Sequence, residues 1–208
     1  RGLGDVYKRQ AIRRASVKLT EFTRYEDAQT YFSKEALWDL FDGERSSLNI
    51  AHECIDRHRG TGTAIRIAFA DGRDEAYTFD ELADWSGRFA NYLVSVGVQP
   101  GDRIGILLDP CLLFYVALFG AMKRGAIAVP MFTLFGRDAL AMRLDDCTPC
   151  VLVTNEEKAE LAADREGLKV VVADDALLET LREFPVEFDV STGSRDMALF
   201  QYLSLIHI

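Results

Sequence analysis

From Ala64 onward, short apolar runs alternate with stretches in which apolar side chains recur every three or four residues. A short run of this kind marks a buried strand and the wider spacing marks one face of a helix, so the pattern predicts successive β-α units. The first helix is predicted over residues 79–96. Thr78 and Glu81 make a T-x-x-E capping box at its start, where each side chain can satisfy an orphan backbone donor of the first turn. Leu82, Trp85, Phe89, Tyr92, Leu93 and Val96 form its buried stripe, and Gly97 supplies a left-handed cap.

A Pro100-Gly101 turn leads into a predicted strand at 103–108. Asp109 followed by Pro110 then reads as a helix start, with a capping carboxylate and a ring that pre-sets the first helical residue. That helix, to about Arg124, is apolar on nearly every side and needs cover on both faces; Gly125 ends it. Residues 126–129 form the next strand, stopped by Pro130. After the loop 131–136, a helix near 138–146 leads to a strand at 150–154. Two more strands are expected at 169–172 and 197–202, separated by a helix around 175–184. Continuous apolar strands separated by helices imply a largely parallel sheet wrapped on both faces, hence an α/β, doubly wound fold. Residues 11–48 are less regular, and their aromatic side chains (Tyr25, Tyr31, Phe32, Trp38, Phe41) are expected to pack as an N-terminal extension.

Composition narrows the function classes. The formal net charge of -9 argues against a nucleic-acid partner, because phosphate binding needs a concentrated basic face and only Arg13, Arg14 and Lys18 cluster here. The most apolar run, 111–122, is too short to cross a bilayer and is flanked by Asp109 and Lys123. The four cysteines, Cys54, Cys111, Cys147 and Cys150, do not resemble a secreted disulfide framework, which favours a reducing compartment and a cytoplasmic location. Cys147 and Cys150 do form a C-x-x-C, but a structural zinc site needs four ligands and no second pair has suitable spacing, so core packing is the expected role.

The two ends carry a different signal. Residues 203–208 (LSLIHI) and residues 5–10 (DVYKRQ) are what one DNA element encodes when read from opposite strands. That element resembles the mosaic end used in transposase-based sequencing libraries, so residues 1–10 and 203–208 are expected to be translated adapter, and His207 is excluded from any site. The natural sequence is then expected over about 11–202.

Local chemistry is sparse. His52 and His58 fall on a short helix beginning near Asn49, six positions apart and on different faces, with Glu53 and Asp56 between them; a solvated polar face fits better than a metal cluster. No G-x-S-x-G elbow and no G-x-x-x-x-G-K-[ST] loop occurs. Gly60 and Gly62 precede a strand, where a dinucleotide fingerprint must follow one, so they mark a turn.

Larger segments carry a resemblance. Residues 77–93 (YTFDELADWSGRFANYL) resemble the first core motif of the acyl- and aminoacyl-adenylate-forming superfamily, residues 120–130 (GAMKRGAIAVP) resemble the second, and 138–155 continue the likeness. Residues 49–58 (NIAHECIDRH), with Arg88-Phe89-Ala90-Asn91, resemble the acetyl-CoA and medium-chain acyl-CoA synthetase branch. The resemblance covers roughly 48–202. It implies the first subdomain of the N-terminal domain of an adenylate-forming enzyme, with a structural role for Asp56, Arg57 and His58.

The activity implied is an ATP-dependent acid–thiol ligase that uses ATP, Mg and CoA on a small carboxylic acid. In that superfamily the strand ending at Phe200-Gln201-Tyr202 runs into a Ser/Thr/Gly-rich, lysine-containing loop around the ATP phosphates. That loop does not follow here, so no catalytic and no metal-binding residue is assigned, and this chain alone is expected to be inactive. By position, Phe132, Thr133, Leu134 and Gly136 correspond to a loop bordering the CoA tunnel and are the candidate cofactor-binding residues; relatives often carry glycines where Thr133 and Leu134 stand. The alternative for the loop is that Phe132, Leu134 and Phe135 plug an interface between subdomains. The alternatives for the protein are an adenylation domain that loads a carrier protein, or a stand-alone α/β binding module.

Overall fold

A computed structural model describes residues 18–162 and 165–202. The two expected adapter segments lie outside the described residues. The chain divides into two compact units, Arg1–Glu44 and Arg45–Ile208. In the first, helix α1 (Tyr25–Tyr31) is followed by α2 (Lys34–Trp38), whose N-cap Ser33 accepts the Ala36 N–H. Aromatic pairs organise this unit: Phe22 stacks on Tyr31 and Trp38 meets Phe41 edge-on.

The second unit opens with α3 (Ile50–Cys54), capped by Asn49, and a 3-10 turn at Asp56–His58. Residues 45–48, assigned from the sequence to the extension, are hydrogen-bonded within this unit, Leu48 N–H donating to the Thr192 carbonyl at 2.8 Å. Strands β1 (Thr63–Ala68) and β2 (Asp74–Thr78) then pair antiparallel. The expected β-α alternation therefore begins later than Ala64. Asp71 and Gly72, the latter at φ +88°, turn the chain back at once, and antiparallel neighbours need no crossover helix.

Helix α4 (Phe79–Ser95) has both halves of its capping box, Thr78 Oγ1 accepting the Glu81 N–H while Glu81 accepts the Thr78 N–H. Leu82, Phe89 and Leu93 are buried, with Trp85, Tyr92 and Val96 packed at the margin of the same stripe. There follow β3 (Arg103–Leu107), α5 (Leu112–Arg124), β4 (Ile127–Pro130), α6 (Arg137–Cys147), β5 (Val151–Thr154), α7 (Glu156–Ala159), β6 (Lys169–Val172) and α8 (Asp175–Arg182). Gly125 ends α5 in the left-handed region, at φ +75°.

Strands β3 to β6 form one parallel sheet in the order β4-β3-β5-β6. Alternate side chains divide between its faces. Ile104, Ile106, Val151 and Val153 face a core shared with α3, α4, α5 and α8, whereas Leu107, Val129 and Leu152 face a second core under α6. The fold is α/β and doubly wound, with helices on both faces of the sheet.

Two local expectations are corrected. Asp109 does not cap α5, which starts at Leu112 with Cys111 as its N-cap; the Asp109 carboxylate instead accepts the Thr133 hydroxyl at 2.6 Å. The strand expected at 197–202 is reduced to a parallel bridge between Leu199 and Ala128 on the outer edge of β4. Ala128 N–H donates to the Ala198 carbonyl at 3.0 Å and Phe200 N–H to the Ala128 carbonyl at 2.9 Å. The next rung falls to Pro130, which has no N–H to donate.

Candidate functional site

In a doubly wound sheet, ligands meet the carboxyl ends of the strands near the point where the connections diverge. Here the chain passes from β3 to β4 on one side, then crosses back to β5 on the other, so that point lies between β3 and β5. The two strands are pinned together there. Thr154, fully buried, donates its hydroxyl to the Leu107 carbonyl at 3.0 Å. One strand over, the Thr133–Asp109 hydrogen bond ties the loop after β4 to the loop after β3.

The loop 131–136 sits at this carboxyl edge and contains all four candidate residues. Their environments differ. Phe132 and Leu134 are 60% and 79% exposed and form an apolar ridge pointing away from the core. Thr133 faces sideways into its bond with Asp109. Gly136 is the N-cap of α6 at an ordinary φ of -73°, and a Cβ built there meets nothing within 4 Å. Neither backbone nor packing requires a glycine at that position, so the space in front of it is open.

Phe135 behaves differently from its neighbours. It packs against the second core, with the Arg143 guanidinium 3.8 Å over its ring. The same guanidinium lies 5.4 Å from the Tyr202 ring. Tyr202 donates its hydroxyl to Asp146 Oδ2 at 2.7 Å, and burial followed by that bond pushes the phenol well above the usual tyrosine range. A bracket of Phe135, Arg143 and Tyr202 thus links the loop to the bridge segment beside β4. Phe135 packs on the core, whereas Phe132 and Leu134 lie at the surface of this chain.

Sequence reasoning missed Asp109 as a partner of Thr133, and missed Arg143 altogether. The signal for Arg143 was its position. Leu140, Leu144 and Cys147 make the buried stripe of α6, and residue 143 lies on it, so a cation there needs an aromatic or anionic partner.

The D-R-H segment holds the scaffold. Lys123, at 4% exposure, donates from Nζ to Asp56 Oδ1 at 2.7 Å and to the Ala83 carbonyl at 2.9 Å. Burial pulls its pKa below the ordinary lysine range, and the Asp56 carboxylate opposes that shift. Arg57 pairs with Glu53, and His58 packs against the Phe79 ring.

Among the described residues no group of three or more His, Cys, Asp or Glu side chains stands close enough to hold a metal ion. Cys147 and Cys150 are free thiols with different surroundings, near Tyr202 and the Arg103 carbonyl respectively, and burial raises the pKa of both. Gly60 and Gly62 are turn residues at φ +75° and +113°. No helix among the described residues is long and apolar enough to cross a membrane. Two cavities, of about 110 and 390 Å³, lie at the opposite, amino ends of the strands, one before β4 and the other before β5 and β6.

The acetyl-coenzyme A synthetase of Bacillus subtilis (strain 168) is 37% identical over 141 residues, which is 65% of this chain and 25% of that protein. The acetyl-coenzyme A synthetase of Desulfatibacillum aliphaticivorans is 39% identical over 140 residues, again 65% of this chain and 21% of the relative. Among solved structures, a Brucella canis acyl-CoA synthetase superposes with a TM-score of 0.78 at 25% identity, over 89% of this chain and 37% of that one. An anthranilate CoA ligase solved with anthranoyl-AMP shares the fold, with a TM-score of 0.67 at 23% identity over 78% of this chain and 32% of its own. The chain spans about a quarter of the length of the curated relatives it matches. With the characteristic sequence pattern of AMP-binding enzymes matched over residues 57–204, on a parallel sheet and helix layers of the same arrangement, the chain belongs to the AMP-binding enzyme family.

Proposed function

We propose that this chain is part of an ATP-dependent acyl-CoA synthetase. In the first step a carboxylate oxygen attacks the α-phosphorus of ATP and the bond to pyrophosphate breaks, leaving an acyl-adenylate. In the second, the thiol of CoA attacks the acyl carbon, its proton leaves, and AMP departs with the electron pair of the broken acyl–phosphate bond. The observation that carries this reading is the likeness to acetyl-coenzyme A synthetases, 37% identity over 141 residues.

The part assigned to this chain is the approach of CoA. Phe132, Thr133, Leu134 and Gly136 line the carboxyl edge of the sheet, where Phe132 and Leu134 offer apolar surface to a pantetheine-like chain and Gly136 leaves open space beside the start of α6. ATP and Mg are different. Among the described residues no acidic cluster fits a divalent ion, and no ATP or Mg contact is assigned to them. On this reading the chain by itself gives no carboxylate-dependent ATP–pyrophosphate exchange. We place the protein in the cytoplasm, consistent with its free cysteines.

The test is a longer polypeptide carrying this segment, assayed for carboxylate-dependent pyrophosphate exchange and for CoA-dependent release of AMP. Exchange without CoA-dependent release, but with transfer to a phosphopantetheine carrier thiol, would reassign it to carrier loading. Failure of exchange across acetate, medium-chain and aromatic acids would overturn the reading.

A further inference from the structure

Residues 183–197 cross from α8, beside β6 at one edge of the sheet, to the bridge beside β4 at the other edge, and they do so without a helix or strand. A connection of that length without structure of its own is uncommon in a compact domain, and its carbonyls need donors. Helix α4 supplies them. The Arg88 guanidinium donates to the Arg182 carbonyl at 2.7 Å and to the Phe184 carbonyl at 2.5 Å. The Asn91 side-chain amide donates to the Pro185 and Glu187 carbonyls, each at 3.0 Å.

Gly87, one turn before Asn91 on the same face, lets the strap lie directly on the helix: a Cβ there would stand 1.9 Å from the Val186 carbonyl oxygen. Farther along, the Thr192 hydroxyl donates to the Leu48 carbonyl at 2.6 Å, and the Asn49 amide reaches Thr192 Oγ1 at 3.0 Å. Pro185, Glu187, Asp189 and Val190 remain exposed, so donors on α4 rather than deep burial decide the path of the first half of the strap.

The destination needs such a guide. Two ladder bonds join the bridge segment to β4, and Phe200 and Tyr202 pack on the second core beside it. Because side chains alternate along an extended chain, a slip of one residue would turn Phe200 and Tyr202 away from the second core and out of the Arg143 bracket. We propose that Gly87, Arg88 and Asn91 are positioning residues: a clamp for backbone carbonyls that fixes the strap and, through it, the register of residues 198–202 beside the loop 131–136. What that edge binds rests on the function proposed above, whereas the clamp stands on its own contacts, so amide exchange separates failure of the one from failure of the other.

Hydrogen exchange on the 208-residue chain, resolved at single amides, compares the parent with Arg88→Ala, Arg88→Lys and Asn91→Asp. Arg88→Ala and Asn91→Asp each remove two contacts to the strap and should speed exchange at the Ala128 and Phe200 amides about tenfold, equivalent to roughly 1.4 kcal/mol, while Ile106 in β3 and Val153 in β5 keep their protection. Arg88→Lys should give an intermediate acceleration, since both bonds leave one terminal nitrogen, Nη1, and an ammonium on a shorter stem replaces them only in part. Unchanged exchange at Ala128 and Phe200 overturns the proposal. So does acceleration that is equal at β3, β4 and β5 in all three variants, because that is global unfolding and not release of a strap.

Discussion

The Lys123 ammonium, almost wholly buried in α5, stands 2.7 Å from the Asp56 carboxylate in the turn after α3. Its second bond, to the Ala83 carbonyl of α4, makes this one cation a joint between three elements. Removing one member of a buried pair leaves the other uncompensated, whereas replacing the cation by an apolar side chain of similar length removes the need for compensation. Asp56→Ala should therefore destabilise the fold by about 3 kcal/mol, and Lys123→Met by distinctly less, because Asp56 is partly exposed and can rehydrate. Urea denaturation of the two variants checks the order; a larger loss in Lys123→Met would contradict it.

The same lysine sets a pH dependence. Its folded pKa lies below the ordinary lysine value, so in the interval between the two the unfolded chain binds more protons than the folded one. Unfolding free energy should rise with pH across that interval, and the rise should vanish in Lys123→Met. Denaturation curves collected at increasing alkaline pH give the slope directly.

Tyr77 works in the opposite sense. Burial, then its bond to Glu75 at 2.8 Å, pushes the phenol up to about 12. A raised folded pKa contributes stability that is fully present below the ordinary tyrosine value of about 10 and is lost as pH climbs through the folded value. Parent protein should lose stability between about pH 10 and 12 relative to Tyr77→Phe. Ultraviolet titration of tyrosinate is the independent check: Tyr202 also ionises late, so the variant should lose one of the late-ionising phenols and keep the other.

The Thr133–Asp109 bond joins the loop after β4 to the loop after β3. Thr133→Val and Asp109→Ala should each cost about 1 kcal/mol, and the double variant should cost little more than either single one. Additive losses in the double-mutant cycle would mean that the two residues act separately.

Within the loop, exposure predicts a division of labour. Leu134→Ala should change stability by no more than about 0.5 kcal/mol, Phe132→Ala by about 0.5–1 kcal/mol because its mostly exposed ring still meets Phe135 edge-on, and Phe135→Ala should cost about 2 kcal/mol for its half-buried ring and lost cation contact. In an intact acyl-CoA synthetase carrying this segment, the first two variants should raise KM for CoA several-fold and leave carboxylate-dependent pyrophosphate exchange unchanged. Unchanged CoA kinetics in both would remove the loop from the CoA path.

Elements whose causes are local could be read directly from residue order. The T-x-x-E box and three-four apolar spacing of α4, the glycine caps at 97 and 125, and the short apolar runs of β3 to β6 depend on neighbours within a turn or a pleat, and they recur in the structure within a residue or two. The class of fold followed from them, because continuous apolar strands leave both faces of a sheet to be covered. Partners distant along the chain decided the rest. Asp109 has the local chemistry of a cap, yet Thr133 from the neighbouring loop takes its carboxylate. Lys123 looks like the polar end of an apolar helix, yet Asp56 reaches it across 67 positions and holds it inside. Residues 197–202 have strand composition, yet Pro130 on the adjoining strand withholds the next rung. A hydrogen-bonding group or a charge is committed by whatever stands beside it in space, and that is known only once the sheet has brought distant segments together.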